Sequence, residues 1–214
     1  MAISKVNFNS LNLTPTASKT VVFNSNNNGL EAGDVGGALV LISEQTASSS
    51  STISFTSGID STYKEYQVHF INCHPATNDV NLQFNASVDS GSNYNVTKTT
   101  TFFAARHREN DSATNLEYVT NRDLAQSTDF NKLNYDTGNQ NDEDVCGILH
   151  LFDPSSTTFV KHFISRAIGN GQAEDCHDSY TAGYFNTTSA IDAIQFKFGS
   201  GNIDAGIFKL YGVT

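Results

Sequence analysis

The chain has 214 residues, 38% of them hydrophobic and only 16% charged, and 12 Lys+Arg against 22 Asp+Glu leave a formal net charge of -10. That length suits one large domain, or a domain with a short arm. The acidic balance excludes a phosphate backbone or an anionic lipid surface as the main partner, because neutralising phosphate takes clustered cations, and no stretch approaches the ~18 apolar residues of a membrane-spanning helix.

Aromatic residues must carry much of the core. There are 15 Phe and 8 Tyr but no Trp, and each ring buries roughly 150–250 Å². Cys73, Cys146 and Cys176 are too few and too scattered for a disulfide framework. Cys73 and Cys146 read as small buried residues of strands. The opening MAISKVNFNS lacks the apolar stretch of a secretory signal, so the expectation is synthesis in a reducing cytoplasm.

Residues 1–35 read as an N-terminal arm or attachment segment. Val6 and Phe8 suggest one short strand and Thr20 to Phe23 another, with a turn signal at Asn28-Gly29. From residue 36 the grammar becomes that of strands. Ala38 to Ile42 is a continuous apolar run, predicted to be a fully buried strand, and Ser48 to Ser51 a turn. Ile53 to Cys73 reads as strand, turn, strand: Ile53 and Phe55 alternate with Ser54 and Thr56, Gly58 breaks the run, and Tyr66, Val68 and Phe70 alternate with Gln67, His69 and Ile71. A loop with Pro75 follows. The run of Val80, Leu82, Phe84, Ala86 and Val88 is the longest period-two signal, and Asp89-Ser90-Gly91-Ser92 ends it as a hairpin turn. Tyr94 to Ala104 is a Thr-rich strand.

Arg106 to Asp144 is polar and reads as long loops carrying one or two short strands, with a helical turn at Asp123 to Gln126. Val145 to Phe152 is a buried strand, Asp153 to Ser156 a turn, Phe159 to Ile168 a strand, and Gly169 to Asp178 a loop. Strands at Tyr180 to Phe185, Ala190 to Phe198 and Ala205 to Val213 complete the chain, the last two joined by a turn at Gly199 to Asn202. About ten strands at this spacing predict an all-β fold. The expectation is an antiparallel β-sandwich, jelly-roll-like, over residues 36–214, with the arm before it.

Few residues carry a chemical signature. Glu174-Asp175-Cys176-His177-Asp178 is the densest group of potential ligands, but alternate residues of an extended chain point opposite ways and no second set has metal spacing. A solvated loop is the reading there. Asp142, Glu143 and Asp144 could offer oxygens to Ca²⁺, yet they lack the spacing of a calcium loop and read as a charged tip. Arg106-His107-Arg108, followed at once by Glu109 and Asp111, reads as a solvated loop. No nucleophile elbow or convincing carboxylate pair stands out. No catalytic residue, metal or cofactor is expected. Tyr118, Tyr135, Tyr180 and Tyr184 lie near loops, where a ring with a polar tip could stack on sugars, although core packing is the commoner use. The candidate recognition residues are therefore loop residues of the polar middle: Arg106, Arg108, Tyr118, Tyr135, Asp142 and Asp144.

Several segments are similar to recurring signatures of marine bacteriophage virion proteins, of the structural or tail-fibre type found in phages of cyanobacteria and other ocean bacteria. They are Ser50 to Asn72 (SSTISFTSGIDSTYKEYQVHFIN), Phe152 to Ile164 (FDPSSTTFVKHFI), Ala182 to Ile203 and Gly201 to Thr214 (GNIDAGIFKLYGVT). The resemblance covers most of residues 36–214 and is weakest over Arg106 to Asp144. It implies a non-enzymatic protein exposed on a virion, made in the host cytoplasm. The leading expectation is a tail-fibre or receptor-binding sandwich contacting a host surface glycan or protein. A capsid decoration protein is the alternative, and a carbohydrate-active depolymerase a lower one. By analogy the partners are other virion proteins and the chain itself, as a homotrimer.

Overall fold

The computed structural model describes residues 19–23, 30–34 and 38–214. The chain divides into two compact units, Met1–Ala38 and Leu39–Thr214. In the first, β1 (Lys19–Phe23) pairs antiparallel with β2 (Leu30–Asp34). The strand expected at Val6 and Phe8 and the turn at Asn28-Gly29 lie outside the described residues.

The second unit holds β3 (Leu39–Ser50), β4 (Ile53–Phe55), β5 (Glu65–Pro75), β6 (Leu82–Ser87), β7 (Lys98–Arg108), β8 (Thr114–Tyr118), β9 (Asn131–Lys132), β10 (Val145–Phe152), β11 (Lys161–Gly171), β12 (Asp175–Phe185), β13 (Ala193–Phe198) and β14 (Ile203–Val213). An eight-stranded sheet, in the order β3-β14-β5-β10-β11-β12-β7-β8, packs against a four-stranded sheet, β4-β13-β6-β9, and all pairings are antiparallel. This is the all-β sandwich expected; a jelly-roll arrangement is not shown by the strand order.

Period-two side chains build the core between the sheets. On β5 the buried residues are Tyr66, Val68 and Phe70; on β11 they are Lys161, Phe163, Ser165 and Ala167. Phe84 of β6 sits at the junction of the two sheets. Its ring meets Phe163 edge-on at 5.0 Å and Phe185 at 6.0 Å, and lies 6.2 Å from Phe196 of its own sheet. A Cβ on Gly147 would come within 2.5 Å of both the Arg166 carbonyl oxygen and the Phe70 ring. Only glycine lets Phe70 lie over β10 there. A smaller cluster, Phe102, Ala104 and Val119, is covered by Tyr135.

Several local readings change. The run Ala38 to Ile42 opens an edge strand instead of a buried one, and Leu39, Val40 and Leu41 are exposed. Ile53 to Cys73 is a crossing between sheets, because β4 and β5 belong to different ones. Asp89 to Ser92 does turn, with positive φ at Ser90 and Gly91 and a bond from the Ser92 N–H to the Asp89 carbonyl, but it too links strands of different sheets. Asp123 to Gln126 forms no helical turn. It bends alongside β7, where the Leu124 carbonyl accepts the Thr100 N–H, the Leu124 N–H donates to Thr100 Oγ1 and the Gln126 N–H donates to Thr99 Oγ1. The expected loop Gly169 to Asp178 is a tight hairpin that joins β11 to β12 through Gln172–Glu174. Arg106-His107-Arg108 is the end of strand β7.

Candidate functional site

The alternation that fills the core also sets what faces away from it. On the outer side of the eight-stranded sheet, three rows of directly opposed residues cross the strands. One runs Thr101, Ala182, Ile164, His150. The next runs Phe103, Tyr180, Arg166, Ile148, His69. The third runs Ala105, Asp178, Ile168, Cys146. Together they form a groove of about 870 Å³, floored by Ile148, Ile164 and Ile168 and bounded by Phe103, Tyr180 and His69. Beyond it, Leu116 and Tyr118 of β8 stand exposed opposite Ala105 and Phe103. A contiguous apolar surface of this kind is uncommon on a polar, acidic chain.

The charges on this face are paired with one another. Arg166 grips Asp178 in a bidentate pair, Nε to Oδ1 at 2.9 Å and the terminal nitrogen to Oδ2 at 2.7 Å. The Arg166 hydrogen bonds hold the Asp178 carboxyl below its usual range. His150 Nδ1 lies 2.8 Å from Glu65 Oε1. Burial pushes the Glu65 carboxyl up, but its bonds from His150 and Gln67 outweigh this and hold it below the usual value. Lys209 reaches Glu44 at 3.0 Å. His69 is pushed down from its usual value by burial, and also by the charges of His150 and Lys209, which favours the neutral ring at neutral pH.

The aromatic rings are similarly occupied. Phe103 and Tyr180 stack in parallel with centroids 4.8 Å apart, and the Arg166 guanidinium lies 5.2 Å from the centre of the Tyr180 ring. Tyr135 lies under the Arg122 guanidinium at 4.5 Å and meets His177 edge-on at 4.9 Å. Neither ring presents an open face to a sugar.

A second cluster lies at the far end of the sheet, on its inner side. Asp175 and His177 are buried, and His177 Nε2 lies 2.5 Å from Asp175 Oδ1. The solvated loop expected for this acidic stretch is instead the buried start of β12, because alternate residues of the strand turn inward. Gly171 leaves space for the pair: a Cβ there would meet Asp175 Oδ1 at 2.8 Å and His177 Nε2 at 3.0 Å. Arg106 Nε lies 3.7 Å from Asp175 Oδ2, and Arg122 makes a bidentate pair with Asp136 at 2.9 Å. Burial raises the Asp136 carboxyl above its usual value despite that partner. Among the described residues no group of three His, Cys, Asp or Glu is placed to hold a metal ion.

The six sequence-derived candidates do not come together as one site. Arg106 and Tyr135 belong to the buried cluster. Arg108 ends β7, half-buried, its N–H bonded to the Ala113 carbonyl. Tyr118 is exposed on the outer face, its hydroxyl 2.5 Å from Asp123 Oδ2. Asp142 is exposed at the turn before β10, and Asp144 is half-buried, which raises its carboxyl. Between them Glu143 points inward, accepting the Gln140 N–H at 2.7 Å. The groove residues lie on strands and not on the loops where recognition residues were expected. Their signal was in the strands: Phe159 to Ile168 and Val145 to Phe152 are apolar in both phases of the period-two pattern, so both sheet faces need cover. No family model matches this chain, and neither the curated proteins nor the solved structures searched contain a match to it.

Proposed function

We propose that this protein is a non-enzymatic structural protein of a bacteriophage particle, of the tail-fibre or receptor-binding type, that works by docking through the outer face of its eight-stranded sheet. The resemblance in its strand and turn segments supports the virion. The observation that carries the docking role is the apolar groove over Ile148, Ile164 and Ile168. It is built from five neighbouring strands, a rigid base for recognition. The carboxylates beside it, Asp178 and Glu65, are committed to Arg166 and His150, which suits holding a partner better than the paired acid and base of a depolymerase. Leu116 and Tyr118, exposed at the edge of the same face, extend this docking surface.

The test is made on particles. Antibody against the protein should decorate tails in negative-stain micrographs. Purified protein added in excess should occupy the receptor and slow adsorption of the phage to host cells at least about tenfold. Unchanged adsorption of tail-labelled phage defeats the receptor role. The occupied faces of Tyr135 and Tyr180 favour a protein contact over a glycan, and this supports a capsid decoration protein as the second reading. Labelling confined to heads decides for it, and particles free of the protein overturn both.

A further inference from the structure

We propose that the partner of the outer face is a second copy of this chain, the two eight-stranded sheets stacking through their β10, β11, β12, β7 and β8 strands about a two-fold axis near Tyr180. The inference rests on the docking reading and names its occupant.

Three observations select a second copy. The first is charge. The chain carries -10 overall, so two copies repel over most of their surface. On this face Arg166 is paired with Asp178, His150 with Glu65, and Lys209 with Glu44. A two-fold axis along β12 sets Asp178 opposite its own copy, but each carboxylate meets the other already neutralised by its Arg166.

The second is area. Five strands at ~4.8 Å spacing and a usable length of ~30 Å give about 700 Å² per copy. A standard stable interface takes roughly 800 Å² per partner. The residues offered include Ile164 (47% exposed), Ile168 (51%), Phe103 (42%) and Leu116 (73%), large side chains left uncovered in the single chain.

The third is the arrangement along the rows. Counted from β12, the exposed Leu116 and Tyr118 of β8 stand two strands to one side, and Ile148 of β10 stands two strands to the other. A two-fold axis over β12 therefore sets each copy's Leu116 and Tyr118 above the other's isoleucine floor. The contact is made twice and is self-complementary, as an isologous interface requires. Twisted sheets stack in this way within sandwiches, at ~30° or ~90°. The homotrimer expected by analogy would need a different contact.

The experiment is sedimentation velocity of the full-length protein over micromolar concentrations, with Ile164→Asp/Ile168→Asp as the variant. Both residues point to solvent in the single chain, and circular dichroism and thermal melting check that the variant folds. The wild type should sediment at twice the 23.2 kDa chain mass. A carboxylate pair facing the partner's floor should raise the dissociation constant at least about 30-fold. Leu116→Asp, across the interface, should weaken the dimer in the same way. A monomeric or trimeric wild type overturns the proposal, as does a dimer that survives the folded double variant. These outcomes are independent of where the protein sits on the particle. A dimer absent from virions defeats the virion reading alone, and a virion protein that is monomeric in solution defeats this inference alone.

Discussion

Lys98 is completely buried at the start of β7, its Nζ donating to the Asp129 carbonyl at 2.5 Å. Across Phe185 in the same row lies Lys161, also buried, bonded to the Thr187 carbonyl at 3.0 Å. Carbonyls satisfy these ammonium groups without neutralising them, and burial pushes Lys98 from 10.5 down to about 8. Between pH 8 and 10.5 the unfolded chain therefore holds a proton at this site that the folded chain has lost. Stability must rise with pH over that window, and the penalty is fully present below pH 8. Measured against Lys98→Met, which removes the titration, urea midpoints should show the wild type gaining up to about 3 kcal/mol from pH 7.5 to 10.5. Parallel pH profiles for the two proteins would refute the assignment. Lys161 shares its inward face with Phe163, while Phe159, at the same spacing but ahead of the start of β11, is exposed. Alternation gives a phase. It does not say where along a strand the cover ends.

At the scale of elements, the β11–β12 hairpin shows local chemistry outvoted by pairing. Glycines and acids marked Gly169 to Asp178 as loop, yet all but Gln172–Glu174 is strand. Each added residue pair gains ladder bonds, and Gly171 admits the Asp175–His177 contact. The turn closes with the Glu174 N–H on the Gly171 carbonyl at 3.0 Å and Glu174 at φ 53°. This is the left-handed position that a three-residue hairpin loop reserves for glycine. Glu174→Gly should therefore stabilise the fold by about 0.5–1 kcal/mol, read as a higher urea midpoint at unchanged slope. A lower midpoint would show that the Glu174 side chain contributes more than its backbone strain costs. The edge strand β3 teaches the converse. Its apolar start looked like a core strand, but it lies at the end of the sheet order, where side chains have a neighbour on one flank only.

For the whole molecule, contacts across the two sheets decide the fold. Phe84 touches Phe163 and Phe185 across the interface and Phe196 beside it. Phe84→Ala should open a cavity there and cost about 3–5 kcal/mol, measured by denaturant unfolding; a loss under about 1 kcal/mol would mean the sheets close over the gap. The sequence by itself determined the class: period-two strands, glycine and Asx turns, and an aromatic core. These are local properties, readable because a side chain's face depends on its own strand. The tertiary structure alone decided which faces are covered. Among the described residues, an eight-stranded sheet backed by four strands leaves its second face open, and that imbalance follows from crossings such as Ile53 to Cys73, whose destination depends on contacts distant in the chain. The same Ile-rich pattern is core on one side of a strand and exposed on the other, and only the position of the second sheet tells them apart.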